Sequence, residues 1–206
     1  MGQSKINLAV LASGNGTNFQ AIVDSVKRKE LAVNLALLVT DNPDAFVLKR
    51  AEKAGVKSVL VKREDYSSKR EFEDEIIRVL KENRIDLIIM AGFMRMVSPQ
   101  FVGCYKNRIL NIHPSLLPAF KGADAIKDAF EYGAKVTGVT VHFVDEEMDH
   151  GPIILQAAVE IKEKDTLETL EERIHAAEHK LYPYAIKLFV EGKFKIYDRK
   201  VKILFR

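Results

Sequence analysis

The chain has 206 residues, 47% apolar and 30% charged, with 32 basic side chains against 29 acidic ones and a net charge of +3. That length supports a full core, and the mixed charge excludes a polybasic nucleic-acid surface while leaving a mild preference for small anions. A single cysteine, Cys104, excludes an intramolecular disulfide and a cysteine-cluster metal site, and no apolar run approaches the ~20 residues of a membrane span.

The first strand is expected from Lys5 to Leu11, which leaves no room for a signal peptide and makes the cytoplasm the expected compartment. Phe19, Ile22, Val23 and Val26 recur at helical spacing, predicting a helix over Thr17–Arg28. A strand follows over Val33–Thr40, then a helix over Ala45–Ala54 that Gly55 ends, then a short strand over Ser58–Val61. Phe72, Ile76, Ile77 and Leu80 mark an amphipathic helix over Lys69–Glu82, and Ile85–Ala91 is too continuously apolar to have a wet face. Gly92–Pro99 is a loop opening a short helix, in which Cys104 reads as a small buried residue. The next strand runs over Arg108–His113.

In the second half a helix is expected over Ala123–Glu131. Two strands follow, Val136–Val144 and Pro152–Lys162, joined by a hairpin-type acidic loop, Asp145–Gly151. A long helix spans Thr166–Val190, with Leu167, Leu170, Ile174, Ala177, Leu181 and Ile186 on one stripe. Pro183 should kink or divide it. A terminal hairpin is formed by Phe194–Tyr197 and Lys200–Phe205. Strand–helix alternation implies an α/β, Rossmann-like fold: a mostly parallel central sheet, helices on both faces and an antiparallel C-terminal portion, in one domain over 1–206.

Ser13-Gly14-Asn15-Gly16-Thr17-Asn18 lies between the first strand and first helix, the usual anion site of such sheets. It lacks the Gly-Lys-Ser/Thr ending of a P-loop, and the third glycine of a dinucleotide fingerprint would fall at Phe19. Asp41 nevertheless stands where a ribose-binding acid would. The plainer alternative is a tight turn with Thr17 or Ser13 as a helix cap.

Asn111 and His113, two apart on a strand, should share a face at the sheet's end. An amide can hold a carbonyl oxygen and an imidazole can move a proton near neutral pH, so the pair suggests carbonyl chemistry. The acidic loop offers a carboxylate to orient the imidazole. Asp149 is the choice over Asp145, Glu146 and Glu147, because Gly151 nearby allows a tight backbone approach. His142 and His150 are lesser candidates. A metal held by His113, His142 and Asp149 is conceivable, but no compact ligand motif supports it. His175 and His179 lie four apart, yet in a His-Ala-Ala-Glu-His context unlike a zinc motif.

Together SGNGTNFQAI, AGFMRMVSP, NIHPSLLPAF, VHFVDEEMDHGPIILQ and EHKLYP resemble the folate-dependent glycinamide ribonucleotide formyltransferases of purine biosynthesis, over essentially the whole chain. The resemblance implies that the amine of glycinamide ribonucleotide attacks the formyl carbon of 10-formyltetrahydrofolate. Asn111 and His113 would stabilise the tetrahedral oxygen, and Asp149 would orient His113 and favour its protonated form. Gly16, Thr17 and Asn18 would hold the ribonucleotide phosphate, with Glu178 on its ribose and His175 in the same patch. Met94, Arg95, Met96 and Val97 would contact the folate through backbone, together with Asn111, Asp145 and Asp149. Lys69 stands where the family often has Arg, at a position linked to the folate tail. A part over about 1–100 would bind nucleotide, and one over about 101–206 would bind folate and carry the chemistry. The variant segment Phe120–Ile126 leaves that chemistry untouched in this reading.

The resemblance requires the folate co-substrate but no metal, nicotinamide, nucleic acid or membrane, in a monomer or homodimer. Two readings compete, both weaker: a formyltetrahydrofolate hydrolase, and an NAD-dependent oxidoreductase using Gly14, Gly16 and Asp41.

Overall fold

A computed structural model describes residues 5–204, so Phe205, the expected end of the terminal hairpin, lies outside the described residues. The chain divides into two compact units, Met1–Leu110 and Asn111–Arg206.

The first unit alternates β1 (Asn7–Leu11), α1 (Thr17–Lys27), β2 (Asn34–Thr40), α2 (Val47–Ala54), β3 (Ser58–Leu60), α3 (Lys69–Glu82), β4 (Leu87–Met90) and α4 (Pro99–Cys104). A three-residue 3₁₀ turn at Arg63–Asp65, not foreseen, precedes α3. β1 pairs in parallel with both β2 and β4, and β2 with β3, giving the order β3-β2-β1-β4. Leu8, Val10, Leu11, Leu87, Ile88 and Ile89 are fully buried, each stabilising the fold by about 1.5–3 kcal/mol. The C-terminal ends of β2, β1 and β4 are therefore neighbours, and each releases a loop where open α/β sheets bind ligands.

Helix ends follow local chemistry. Ser68 caps α3 by accepting the Glu71 N–H at 3.1 Å, and Ser98 caps α4 with Pro99 in its first turn. Gly55 closes α2 at φ 69°, as its position predicts. Cys104 is only half-buried, because it ends the short α4 beside exposed Gly103 and not inside a helix interface.

β5 (Ile109–His113) begins in the first unit and ends in the second. The second unit continues with α5 (Ala125–Glu131), β6 (Val136–Phe143), β7 (Ile153–Glu160), α6 (Leu167–Val190), β8 (Phe194–Tyr197) and β9 (Lys200–Ile203). Its strand order is β5-β6-β7-β9-β8, with antiparallel β6–β7 and β8–β9 pairs. β6 is buried from Thr137 to Phe143, so neither face of this strand is wet.

One expectation for α6 is narrowed and one corrected. Pro183 does not divide it: one helix runs from Leu167 to Val190, started by a Thr166–Thr169 capping box. Burial of Tyr182, Pro183, Ala185 and Ile186 offsets the ~3 kcal/mol that an interior proline costs. The buried stripe is Leu170, Ile174, Glu178, Tyr182 and Ile186, whereas Ala177 and Leu181 are half-buried. Strict i+4 steps from Leu170 and Ile174 lead to Glu178, so a carboxylate lies on the core-facing side. Among the described residues no helix is long and apolar enough to cross a membrane.

Candidate active site

In the first unit the glycine loop leaves β1 and turns into α1. Gly16 occupies the N-cap at φ 74°, and no side chain caps the helix. Neither Thr17 nor Ser13 serves as the cap. A Cβ on Gly16 would lie 2.3 Å from Val47 Cγ2, so α2 packs where only glycine fits. Val47 N–H donates to the Gly14 carbonyl at 3.1 Å, and Arg50 grips Asn15 at its carbonyl (2.8 Å) and side-chain oxygen (2.9 Å). The result is a held loop whose first-turn amides point along the helix axis, with no acidic side chain in that turn to repel an anion.

Ser13 has another role. Its hydroxyl donates to Asp41 Oδ1 at 2.6 Å and accepts the Met94 N–H at 3.1 Å. Asp41 Oδ2 pairs with Arg95 Nε, so both carboxylate oxygens are engaged and the residue is not an open ribose ligand. The following segment is presented outward: Met94 is 72% exposed and Met96 53%, while Val97 is buried. A cavity of about 330 Å³ lies here, lined by Arg63, Lys69, Phe72, Phe93, Arg95 and Val97 among others. Lys69 reaches Glu73 at 3.8 Å, and buried Glu73 accepts the Ser98 N–H at 2.9 Å. The cavity thus joins an apolar floor to a cationic rim.

The second unit assembles side chains. Asn111 and His113 come from β5, Asn111 half-buried and His113 4% exposed. His142 sits at a register shift in β6, immediately after Val141. Asp149 comes from the acidic loop, in a left-handed conformation at φ 49°, with its side chain 11% exposed. Gly151 behind it is obligatory, because a Cβ there would lie 1.9 Å from the Phe143 carbonyl oxygen. This is the tight backbone approach that Gly151 predicts beside Asp149.

Hydrogen-bond logic assigns the protons. His142 Nδ1 lies 2.7 Å from the Phe143 carbonyl, which can only accept, so Nδ1 carries a proton. Burial lowers the His142 pKa, outweighing the carbonyl bond that raises it, and keeps the ring neutral. Its Nε2 lone pair, 3.2 Å from Asn111 Nδ2, then accepts one of the two amide N–H groups and fixes the plane of the amide. His113 Nε2 donates to the Phe120 carbonyl at 2.7 Å, leaving Nδ1 to face Asp149 Oδ2 at 3.4 Å. That arrangement sets one ring nitrogen of His113 beside a carboxylate. Asp149 Oδ2 also accepts the Gly122 N–H at 3.0 Å.

The Phe120–Gly122 turn therefore touches both His113 and Asp149, through the Phe120 carbonyl and the Gly122 amide, and is part of the site's scaffold. Its positive φ angles, 47° at Phe120 and 100° at Gly122, make it a bent, specific turn. Lys121-Gly122 was the available turn signal. His142, a lesser candidate in sequence, proves to be Asn111's partner.

Elsewhere in this unit His175 Nδ1 lies 3.0 Å from Glu178 Oε2, a bond that raises the His175 pKa. Asp145 accepts from the Glu147 N–H at 3.1 Å and pairs with His150 at 2.8 Å, so it braces the acidic loop. Among the described residues no group of three or more His, Cys, Asp or Glu could hold a metal ion.

Comparison with known proteins places these features. A match to the formyl transferase family spans residues 6–186, across both units. The chain is 51% identical to the phosphoribosylglycinamide formyltransferase of Bacillus subtilis, over 87% of this chain and 92% of that protein. It is 45% identical to part of the trifunctional purine biosynthetic protein adenosine-3 of Gallus gallus, covering 94% of this chain but only 19% of that protein. Glycinamide ribonucleotide transformylase 1 from Symbiobacterium toebii superposes with a TM-score of 0.95 at 46% identity, covering 98% of this chain and 95% of that one.

Proposed function

The chain belongs to the formyl transferase family, and we propose that it carries the formyl group of 10-formyltetrahydrofolate to the amine of glycinamide ribonucleotide, in purine biosynthesis. The observation that carries this reading is the meeting of His113 and Asp149 at 3.4 Å beside Asn111, whose amide is already oriented by His142. Formyl transfer between nitrogens needs no electron sink. It needs two bound substrates, a stabiliser for the tetrahedral oxygen and a proton route.

In this proposal the amine attacks the formyl carbon, and the second Asn111 N–H takes the developing oxyanion. The substrate oxygen replaces the Phe120 carbonyl as acceptor of the His113 Nε2 proton. Asp149 holds the imidazolium and accepts, through water, the proton that the attacking amine must lose. Collapse of the intermediate breaks the bond to N10, which gains one proton, so the proton count balances. The amides of Gly16, Thr17 and Asn18 bind the ribonucleotide phosphate. Glu178, with His175 beside it, binds the ribose hydroxyls. In the first unit Met94, Arg95, Met96 and Val97 contact the folate, and Lys69 offers a point charge to the folate tail, without the fork geometry of Arg. In the second unit Asp145 and Asp149 are the folate contacts. The protein works in the cytoplasm as a monomer or homodimer.

The test is incubation of the purified protein with both substrates, following tetrahydrofolate and the formylated amine. Equimolar appearance of the two is expected. Release of formate with no formylated amine would identify a hydrolase instead, and no turnover above the enzyme-free control would end the proposal.

A further inference from the structure

The geometry points to Asp41 as a positioning residue that ties the glycine loop to the Met94–Val97 segment, holding the two substrate-binding loops of the first unit in register. The inference rests on the reading of those loops given above. It begins with a carboxylate only 6% exposed at the end of β2, away from any proposed chemistry. A carboxylate so placed is costly unless each oxygen is partnered. Here the partners come from two different loops.

Asp41 Oδ1 accepts from the Ser13 hydroxyl at 2.6 Å, one residue before the Gly14–Gly16 turn. Asp41 Oδ2 pairs with Arg95, 54 residues away in sequence, in the middle of the segment assigned to folate. Ser13 closes the link a second time, because its oxygen accepts the Met94 N–H at 3.1 Å. A hydroxyl has one proton to give, and giving it to Asp41 is what turns its lone pair to Met94. Arg95 is further fixed with its guanidinium 5.6 Å from the Phe72 ring centroid. Asn42, next in the chain, donates to the Ser13 carbonyl at 3.0 Å, so β2's end grips the same residue twice. An ordinary surface ion pair would contribute little. This one differs in the burial of its acid and in the shared hydroxyl, which makes the position of one loop depend on the other.

Removing the carboxylate should therefore change binding at both loops and leave the chemical step in place. In Asp41→Ala the KM values of both substrates are expected to rise about tenfold, the size of one lost charge-assisted hydrogen bond, with kcat within about threefold. Asp41→Asn keeps an acceptor for Ser13 but turns an amide toward Arg95. It should raise the KM of the formyl donor while the ribonucleotide KM stays within about twofold. This split guards against a fold defect, which would not separate the substrates. Hydrogen exchange at the Met94–Met96 amides should accelerate in both variants, with β1 and β4 amides unchanged. If the wild-type protein shows no formyl transfer, the proposed function fails, and exchange alone then decides the link. Unchanged exchange at Met94, or both donor KM values within about twofold of wild type, would overturn it.

Discussion

In the first unit the groups a ligand can meet are the backbone amides at the uncapped start of α1 and the outward-facing Met94–Met96 segment, whose Met94 amide is already held by Ser13. In the second unit they are side chains, Asn111, His113 and Asp149, each oriented by another group: His142, the Phe120 carbonyl and the Gly122 amide. Backbone amides bind a fixed charge equally well before and during reaction, so the first unit should govern affinity. Oriented donors and a paired imidazole respond to charge that develops, so the second unit should govern rate. The contrast is one of work divided by chemical group type, and substitutions can break it.

The largest effects are expected in the second unit. Asn111→Ala and His113→Ala should each lower kcat by about 10²–10³-fold with modest change in KM, since in the proposed mechanism each removes a donor to the oxyanion. Asp149→Asn should cost about 10²-fold or more by removing the carboxylate that faces His113 Nδ1. A large rise in KM with normal kcat would move these residues from rate to affinity and erase the contrast.

His142→Leu tests the oriented amide. Without the Nε2 acceptor at 3.2 Å, Asn111 is free to turn, and kcat should fall about tenfold while both KM values hold. An unchanged kcat would mean that Asn111 is aligned without His142. In the first unit, Gly16→Ala should raise the ribonucleotide KM about tenfold at near-constant kcat, because the added methyl meets Val47 and disfavours the left-handed turn. Thermal unfolding of the same variant should show a loss of about 1–3 kcal/mol.

How much of this was legible follows the same division. The glycine loop, the β4 run, α3 and the terminal hairpin were readable because period, caps and turn residues are local signals. The Asn111 and His113 pair was readable because strand periodicity places both on one face, and Gly151 pointed to Asp149. What escaped depends on contacts between distant segments. Ser13 resembles a helix cap in sequence, yet bonds to Asp41 and Met94. His142 gives no sign of its partner because the shift in β6 register that places it has no local marker. The stripe of α6 was read through Ala177 and Leu181, because a carboxylate is not expected inside, although the i+4 steps lead to Glu178.

The smallest effects concern pH. His142 is held neutral below the ordinary histidine pKa, so between that depressed value and about 6.5 the unfolded chain binds the extra proton. Stability therefore rises with pH through that window and falls on acidification. His175 acts in the opposite sense: its pKa is raised by the bond to Glu178, so its contribution is full below about 6.5 and lost as pH climbs through the folded value. Denaturant midpoints across pH should show a flatter acid side in His142→Leu and a flatter neutral side in His175→Gln. Parallel curves for wild type and both variants would contradict these assignments.

The most direct measurement is a single-turnover formyl transfer with both substrates saturating, comparing wild type with Asn111→Ala. Saturation removes affinity from the comparison and leaves only the chemical step. The account predicts a rate about 10²-fold or more lower in the variant, with the formyl group still delivered to the amine. A variant rate within about threefold of wild type would contradict the assignment of transition-state stabilisation to Asn111 and its neighbours.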